Sequence, residues 1–163
     1  MKTIIISASS RKNGDTAIIA NKLATSADSK IIHLVDYSIS HYDYEHKNSS
    51  DDFIPLMQKL INNYDTFVFI TPVYWYSMSG ILKVFFDRIT DLLTIEKEMG
   101  RQLRKKNMVV ITSSIGNNLG DDFWIPFTKS ANYLGITYLG NIHTIVGEDN
   151  TKAISNLTKL LTK

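Results

Sequence analysis

Asp65-Thr66-Phe67-Val68-Phe69-Ile70-Thr71 has four consecutive aromatic or β-branched apolar residues, Phe67 to Ile70, between short polar ends. Residues of this type pack well on a pleated surface, so the stretch predicts a strand. A strand with one face in water alternates apolar with polar residues. One that does not alternate is buried on both faces, as in the interior of a parallel sheet. Parallel neighbours cannot be joined by a tight hairpin and need crossover connections, usually helices. This single stretch therefore predicts a sheet covered by helices on both sides.

The flanking sequence repeats the pattern. Ahead of the strand, Asp51-Asp52 opens a predicted helix whose core face is Ile54, Met57, Leu60, Ile61 and Tyr64; acidic residues suit its amino end. Behind it, Ile81, Leu82, Phe85, Phe86, Ile89, Leu92 and Leu93 form one wide apolar stripe, predicting a single helix from Gly80 to Leu93. Met108 to Thr112 reads as the fourth strand. The next helix carries Trp124, Phe127, Ala131 and Leu134 and stops at Gly135. Ile136 to Val146 is the fifth strand, interrupted at Gly140; Asn150 is placed to cap a last helix with Ile154, Leu157, Leu160 and Leu161 on its face. At the amino end, Thr3 to Ile6 and Lys30 to Val35 are strands one and two, with a helix from Ala17 to Ala24 between them. Five strands alternating with five helices predict an α/β fold, with residues 1–163 as one domain.

Three loops at the carboxyl ends of strands are unusual. Ser7 to Thr16 carries hydroxyl, amide and basic side chains into a helix start, where unpaired N–H groups and the helix dipole favour an anion. Ser9, Ser10 and Thr16 can donate to phosphate oxygens, and Arg11 adds a forked charged donor. The same residues also read as a plain strand-to-helix connection with Asp15 or Thr16 as N-cap. The spacing matches neither nucleoside-triphosphate nor dinucleotide loops. Thr71 to Gly80 contains Tyr74-Trp75-Tyr76, aromatic walls that suit a flat heteroaromatic ligand or, alternatively, the core or a subunit contact. Ser113 to Gly120 offers hydroxyl, amide and backbone groups, among them Ser113, Ser114 and Gly116. With strand order 2-1-3-4-5, the switch point lies between strands one and three, and all three loops meet there. A phosphate seat, an aromatic wall and a polar loop together fit FMN.

Composition narrows the function classes. The chain has 163 residues, 44% hydrophobic and 21% charged, and no apolar run near the ~20 residues of a membrane span. Zero cysteines exclude disulfides, cysteine-ligated metal and thiol catalysis, and suit a reducing cytoplasm. The chain enters a strand at once, without a secretory signal pattern, so a cytoplasmic location is expected. The run Arg101 to Lys106 reads as solvated cations near a helix carboxyl end rather than a nucleic-acid patch, since no aromatic residues are interleaved with it. His41 to His46, in a polar loop from Asp36 to Ser50, matches no metal-ligand spacing. No metal, nucleic acid or membrane is expected as a partner.

Two motifs carry a resemblance. Ala8-Ser9-Ser10-Arg11-Lys12-Asn13-Gly14-Asp15-Thr16 resembles the G-S-x-R-x-x-x-N-T phosphate loop of the flavodoxin-like NAD(P)H-dependent FMN reductases. Thr71-Pro72-Val73-Tyr74-Trp75, followed by Leu82-Lys83-Val84-Phe85-Phe86-Asp87-Arg88, resembles their T-P-x-Y…L-K-x-F-x-D-R signature. The resemblance spans essentially the whole chain and implies a flavodoxin-like three-layer sandwich with sheet order 2-1-3-4-5. It implies FMN phosphate at Ser9, Arg11, Asn13 and Thr16, beside Asp15, and the isoalloxazine against Pro72, Val73, Tyr74, Trp75 and Tyr76. It further implies NAD(P)H as electron donor, a small acceptor and a homodimer built on the helix after Gly80. Two positions depart from the pattern: Ala8 replaces glycine and Asp15 replaces asparagine. A carboxylate there repels phosphate unless it turns away, caps the helix, or pairs with Arg11 or Lys12. Some relatives carry cluster-binding cysteines between the second strand and the next helix; the loop from 37 to 50 has none.

No side chain has to act as acid or base in flavin chemistry, so no catalytic residue is expected. Backbone N–H groups near Tyr74 and Trp75 are the expected donors toward the flavin edge. A one-electron carrier of the flavodoxin type and a non-catalytic nucleotide-binding domain are the rival readings. Carriers of that type usually present an acidic face, whereas this chain is +2 with only Asp121-Asp122 near the loops. The long loop from Tyr37 to Ser50 is also able to fold over a small substrate. Both features favour hydride transfer.

Overall fold

A computed structural model describes residues 1–161. Strands β1 (Thr3–Ser7), β2 (Lys30–His33), β3 (Thr66–Pro72), β4 (Asn107–Ser114) and β5 (Thr137–Ile145) form one parallel sheet in the order β2-β1-β3-β4-β5. The expected topology is found. β1 and β3 are fully buried along their length, as the unbroken apolar stretches require.

Two apolar layers flank the sheet. Helices α1 (Asp15–Ser26) and α7 (Thr151–Leu161) cover one face, packing Ile19, Leu23, Ile154 and Leu157 on Ile5, Val68 and Ile111. Helix α2 (Phe53–Asn63), helices α3 (Gly80–Arg88), α4 (Asp91–Thr94) and α5 (Lys97–Gln102), and helix α6 (Ile125–Leu134) cover the other. There Phe53, Phe69, Phe85, Phe86 and Phe127 meet in edge-on or tilted ring pairs. Full burial of each such ring contributes roughly 1.5–3 kcal/mol.

The helix expected from Gly80 to Leu93 is broken at Ile89-Thr90, and further helical turns follow to Gln102. At the break the bonds tighten to i−3: Ile89 N–H donates to Phe86 O and Thr90 N–H to Asp87 O. The cause is the fully buried Arg88, whose Nε donates to Asp91 Oδ2 at 2.7 Å and whose Nη1 donates to Asp51 Oδ2 at 2.5 Å and Ser40 O at 3.1 Å. Its guanidinium lies 5.0 Å over the Phe53 ring. Asp91 also bonds His46 Nδ1 at 3.1 Å. Asp51 and Asp52 thus do more than begin α2: they accept from Ser40 N–H and Ser38 N–H and tie the preceding loop down.

Smaller differences have local causes. β2 ends at His33, and Leu34–Asp36 winds into a 3-10 turn. Gly14, not Asp15 or Thr16, is the N-cap of α1. The Asn150 side chain donates to Ile145 O and Glu148 O, while the backbone carbonyl of Asn150 receives Ile154 N–H. Lys106, from the basic run, caps the carboxyl end of α2 through Ile61 O and Tyr64 O. Gly135 adopts φ 73° at the end of α6, and Gly140, at φ 146°, forms the bulge where β5 shifts register against Met108 and Val109. Among the described residues no helix is long and apolar enough to cross a membrane.

Candidate functional site

The three loops converge at the carboxyl edge of β1, β3 and β4, and hydrogen bonds join each pair. Ser79 Oγ donates to Ala8 O at 2.6 Å, linking the second loop to the first. Thr16 Oγ1 lies 2.9 Å from Ser113 Oγ, linking the first to the third. Val73 N–H donates to Ser113 O at 3.0 Å, and Asn118 Nδ2 to Tyr76 OH at 3.3 Å, linking the third to the second.

At the start of α1, Gly14 has no side-chain cap, and the first helical donors are Ala17 N–H and Ile18 N–H, both to Gly14 O. The N–H groups of Asp15 and Thr16 therefore leave the helix end without an intrahelical acceptor. Arg11 folds back across the loop, its Nε 3.4 Å from where a Cβ on Gly14 would stand. Ser9 is buried and its Oγ receives Arg11 N–H, which leaves its own proton available. Asn13 is exposed beside them. The Thr16 hydroxyl is buried against Ser113. Asp15 pairs with neither Arg11 nor Lys12. Its side chain lines a cleft with Lys22, Val146 and Glu148, and Lys12 bridges Asp36 at 2.5 Å.

The second loop is a tight hairpin. Tyr74 N–H donates to Ser77 O and Ser77 N–H to Tyr74 O, while Trp75 and Tyr76 adopt φ 50° and 59°. Two consecutive positive φ values make this a primed turn, which ordinarily takes Asn-Gly. Trp75 is 95% exposed, Tyr76 64% and Tyr74 50%, which removes the reading that these rings belong to the core. Pro72 is buried at the end of β3 and Val73 half-buried. The hairpin lifts the rings off the sheet edge and leaves the Trp75 and Tyr76 N–H groups outside its own ladder.

The third loop starts at buried Ser113 and half-buried Ser114, and Gly116 is exposed. Ser114 Oγ donates to Gly116 O at 2.7 Å and lies 2.6 Å from His143 Nε2. Sequence reasoning missed three contributors. Ser79 could have been found as the polar residue before an apolar periodic run; it caps α3 through Leu82 N–H. Asn118 lay within the third loop but was not singled out, and His143 had no such signal, because only the fold brings it to the site.

A profile of the NADPH-dependent FMN reductase family matches residues 1–151. The chain belongs to that family. It is thus an FMN oxidoreductase whose electron donor is NAD(P)H. YwqN of Bacillus subtilis (strain 168), named an NAD(P)H-dependent FMN-containing oxidoreductase, is 26% identical over 162 residues, covering 92% of this chain and 86% of its own. Among solved structures, the Trp repressor binding protein from Bacillus subtilis matches with a TM-score of 0.77 at 22% identity, covering 99% of this chain and 98% of that one. An NADPH-quinone reductase from P. pentosaceus gives 0.70 at 18% identity, with 99% and 95% covered. At these identities the structural likeness is one of fold.

The residues present fit FMN. The uncapped start of α1, with Arg11 over it, is a donor set for a phosphate dianion. The exposed hairpin supplies aromatic faces and outward N–H groups for a ring system.

Proposed function

We propose that the FMN phosphate binds at Ser9, Arg11, Asn13 and the N–H groups of Asp15 and Thr16, and that the flavin ring lies against Pro72 to Tyr76 and the loop of Ser113, Ser114 and Gly116. The observation that carries this reading is the junction of all three loops at the switch point by cross-loop hydrogen bonds. Bound FMN supplies the two-electron chemistry between NAD(P)H and a small acceptor such as a quinone, a nitro compound or free flavin. The chain's part is to seat the phosphate, orient the ring through backbone donors on the hairpin, and present Trp75 and Tyr76 as a platform for a second flat molecule.

The partner of the exposed apolar surface is a second copy of the chain. A cleft of about 650 Å³ between α3 and α6 is lined by Met78, Phe86, Leu93, Pro126 and Tyr133, next to the hairpin. Pairing there covers the exposed Leu93 and Tyr133 and brings the two flavin sites close to the interface. Light scattering at twice 18.5 kDa supports this, and a monomer with FMN bound opposes it. The absence of cysteine suits a cytoplasmic setting.

The site assignment is tested by absorbance titration with FMN and with riboflavin. Arg11→Ala is expected to weaken FMN roughly ten- to 150-fold, the loss of about 1.5–3 kcal/mol from a charged hydrogen bond, and to leave riboflavin nearly unchanged. Equal losses for both ligands would remove the phosphate assignment.

A further inference from the structure

His143 lies on β5, outside both motifs of the family resemblance. Its Nε2 is 2.6 Å from Ser114 Oγ, which is in turn 2.7 Å from Gly116 O. Ser114 has one proton, and a carbonyl oxygen can only accept. The proton therefore goes to Gly116 O, and the second contact needs a donor on His143 Nε2. Both bonds are satisfied together only when the imidazole carries hydrogen on Nε2.

We propose that His143 is a positioning residue of the flavin site, acting through Ser114 to hold the Gly116 carbonyl and so to aim the next backbone N–H, that of Asn117, at the ligand. The inference rests on the flavin-site reading above. The Gly116–Asn117 peptide is trans, so with its carbonyl tied to Ser114 its N–H points the opposite way, away from Ser114. Burial lowers the pKa of His143, which favours the neutral ring with a lone pair on Nδ1. The chain of contacts continues past the loop. Asn118 Oδ1 sits 3.1 Å from where a Cβ at Gly116 would stand, and Asn118 Nδ2 donates to Tyr76 OH. Hydrogen bonds thus tie this loop to β5 at Ser114 and to the aromatic hairpin at Asn118, and a side chain at 116 would crowd Asn118.

Long-range proton–nitrogen NMR on the FMN-loaded, 15N-labelled protein at pH 7.5 reads the tautomer directly. Hydrogen on Nε2 with bare Nδ1 is expected; hydrogen on Nδ1 overturns the assignment. In flavin titrations, His143→Ala and Ser114→Ala are each expected to weaken FMN about five- to thirtyfold, matching a lost hydrogen bond of ~1–2 kcal/mol. The double variant should bind no more weakly than Ser114→Ala, because the two residues act in series. His143→Gln, which keeps a donor for Ser114, should restore most of the affinity and return the shifted flavin midpoint potential toward that of the unaltered protein. Additive losses, or unchanged affinity and potential in His143→Ala, would overturn the proposal while the flavin site stands. Failure of the unaltered protein to bind FMN would overturn both.

Discussion

The hydroxyls of Thr16 and Ser113 lie 2.9 Å apart, both buried, across 97 residues of chain. They make the loop after β1 and the loop after β4 a single unit. Removing one partner leaves the other unpaired in a buried position, which costs about 1–3 kcal/mol. Thr16→Val is therefore expected to lower unfolding stability by that amount in urea titrations of the FMN-free protein. Adding Ser113→Ala should recover part of the loss, since removing both polar groups is cheaper than stranding one. A double variant less stable than Thr16→Val would refute the pairing.

Arg88 is fully buried between two carboxylates, Asp51 and Asp91. Arg88→Met leaves Asp51 and Asp91 without their buried cation and is expected to cost about 3–5 kcal/mol. Proteolysis should then cut first between Tyr37 and Ser50, because Asp51 holds that loop through Ser40. The same ion pair sets an acid limit. Burial alone would raise the Asp51 carboxyl; the Arg88 hydrogen bond and the N–H groups of Ser40 and Phe53 outweigh it and hold the pKa below 3.8. A depressed folded value means the stabilisation is complete above the unfolded pKa and is lost as pH falls through the folded one. Stability should fall below about pH 4, and the Arg88→Met variant should lack the Asp51 part of that fall. Parallel pH curves for the two proteins would count against this account.

The hairpin at Trp75-Tyr76 stores strain. A left-handed residue other than glycine costs roughly 1–2 kcal/mol, and two stand in succession. Tyr76→Gly relieves one, against the loss of a single exposed hydrogen bond to Asn118. A rise in melting temperature of about 2–4 °C is expected, together with weaker flavin binding or slower turnover. A variant that is both less stable and fully active would show that the strain has no role.

Much of this was legible in the sequence. Phe67 to Ile70 already implied a doubly covered parallel strand, and the loops at 7–16, 71–80 and 113–120 do meet as the order 2-1-3-4-5 requires. The break after Arg88 was not legible, because the stripe Ile81 to Leu93 is periodic throughout and the interruption comes from a tertiary ion pair with Asp51. Nor was the primed turn, since Trp-Tyr contradicts the residue preference of that geometry. His143 stayed hidden for another reason: its partner lies 29 residues away on a neighbouring strand, and no local pattern records such a pairing.

We propose that these loops hold a flavin reduced by a nicotinamide nucleotide, rather than one that shuttles single electrons. Anaerobic stopped-flow mixing of the FMN-loaded protein with NADH and with NADPH tests it most directly. Rapid bleaching of the oxidised flavin band by at least one nucleotide, with no persistent one-electron-reduced species, is the expected result. No reaction with either nucleotide, together with a stable one-electron-reduced flavin on stepwise chemical reduction, would contradict it.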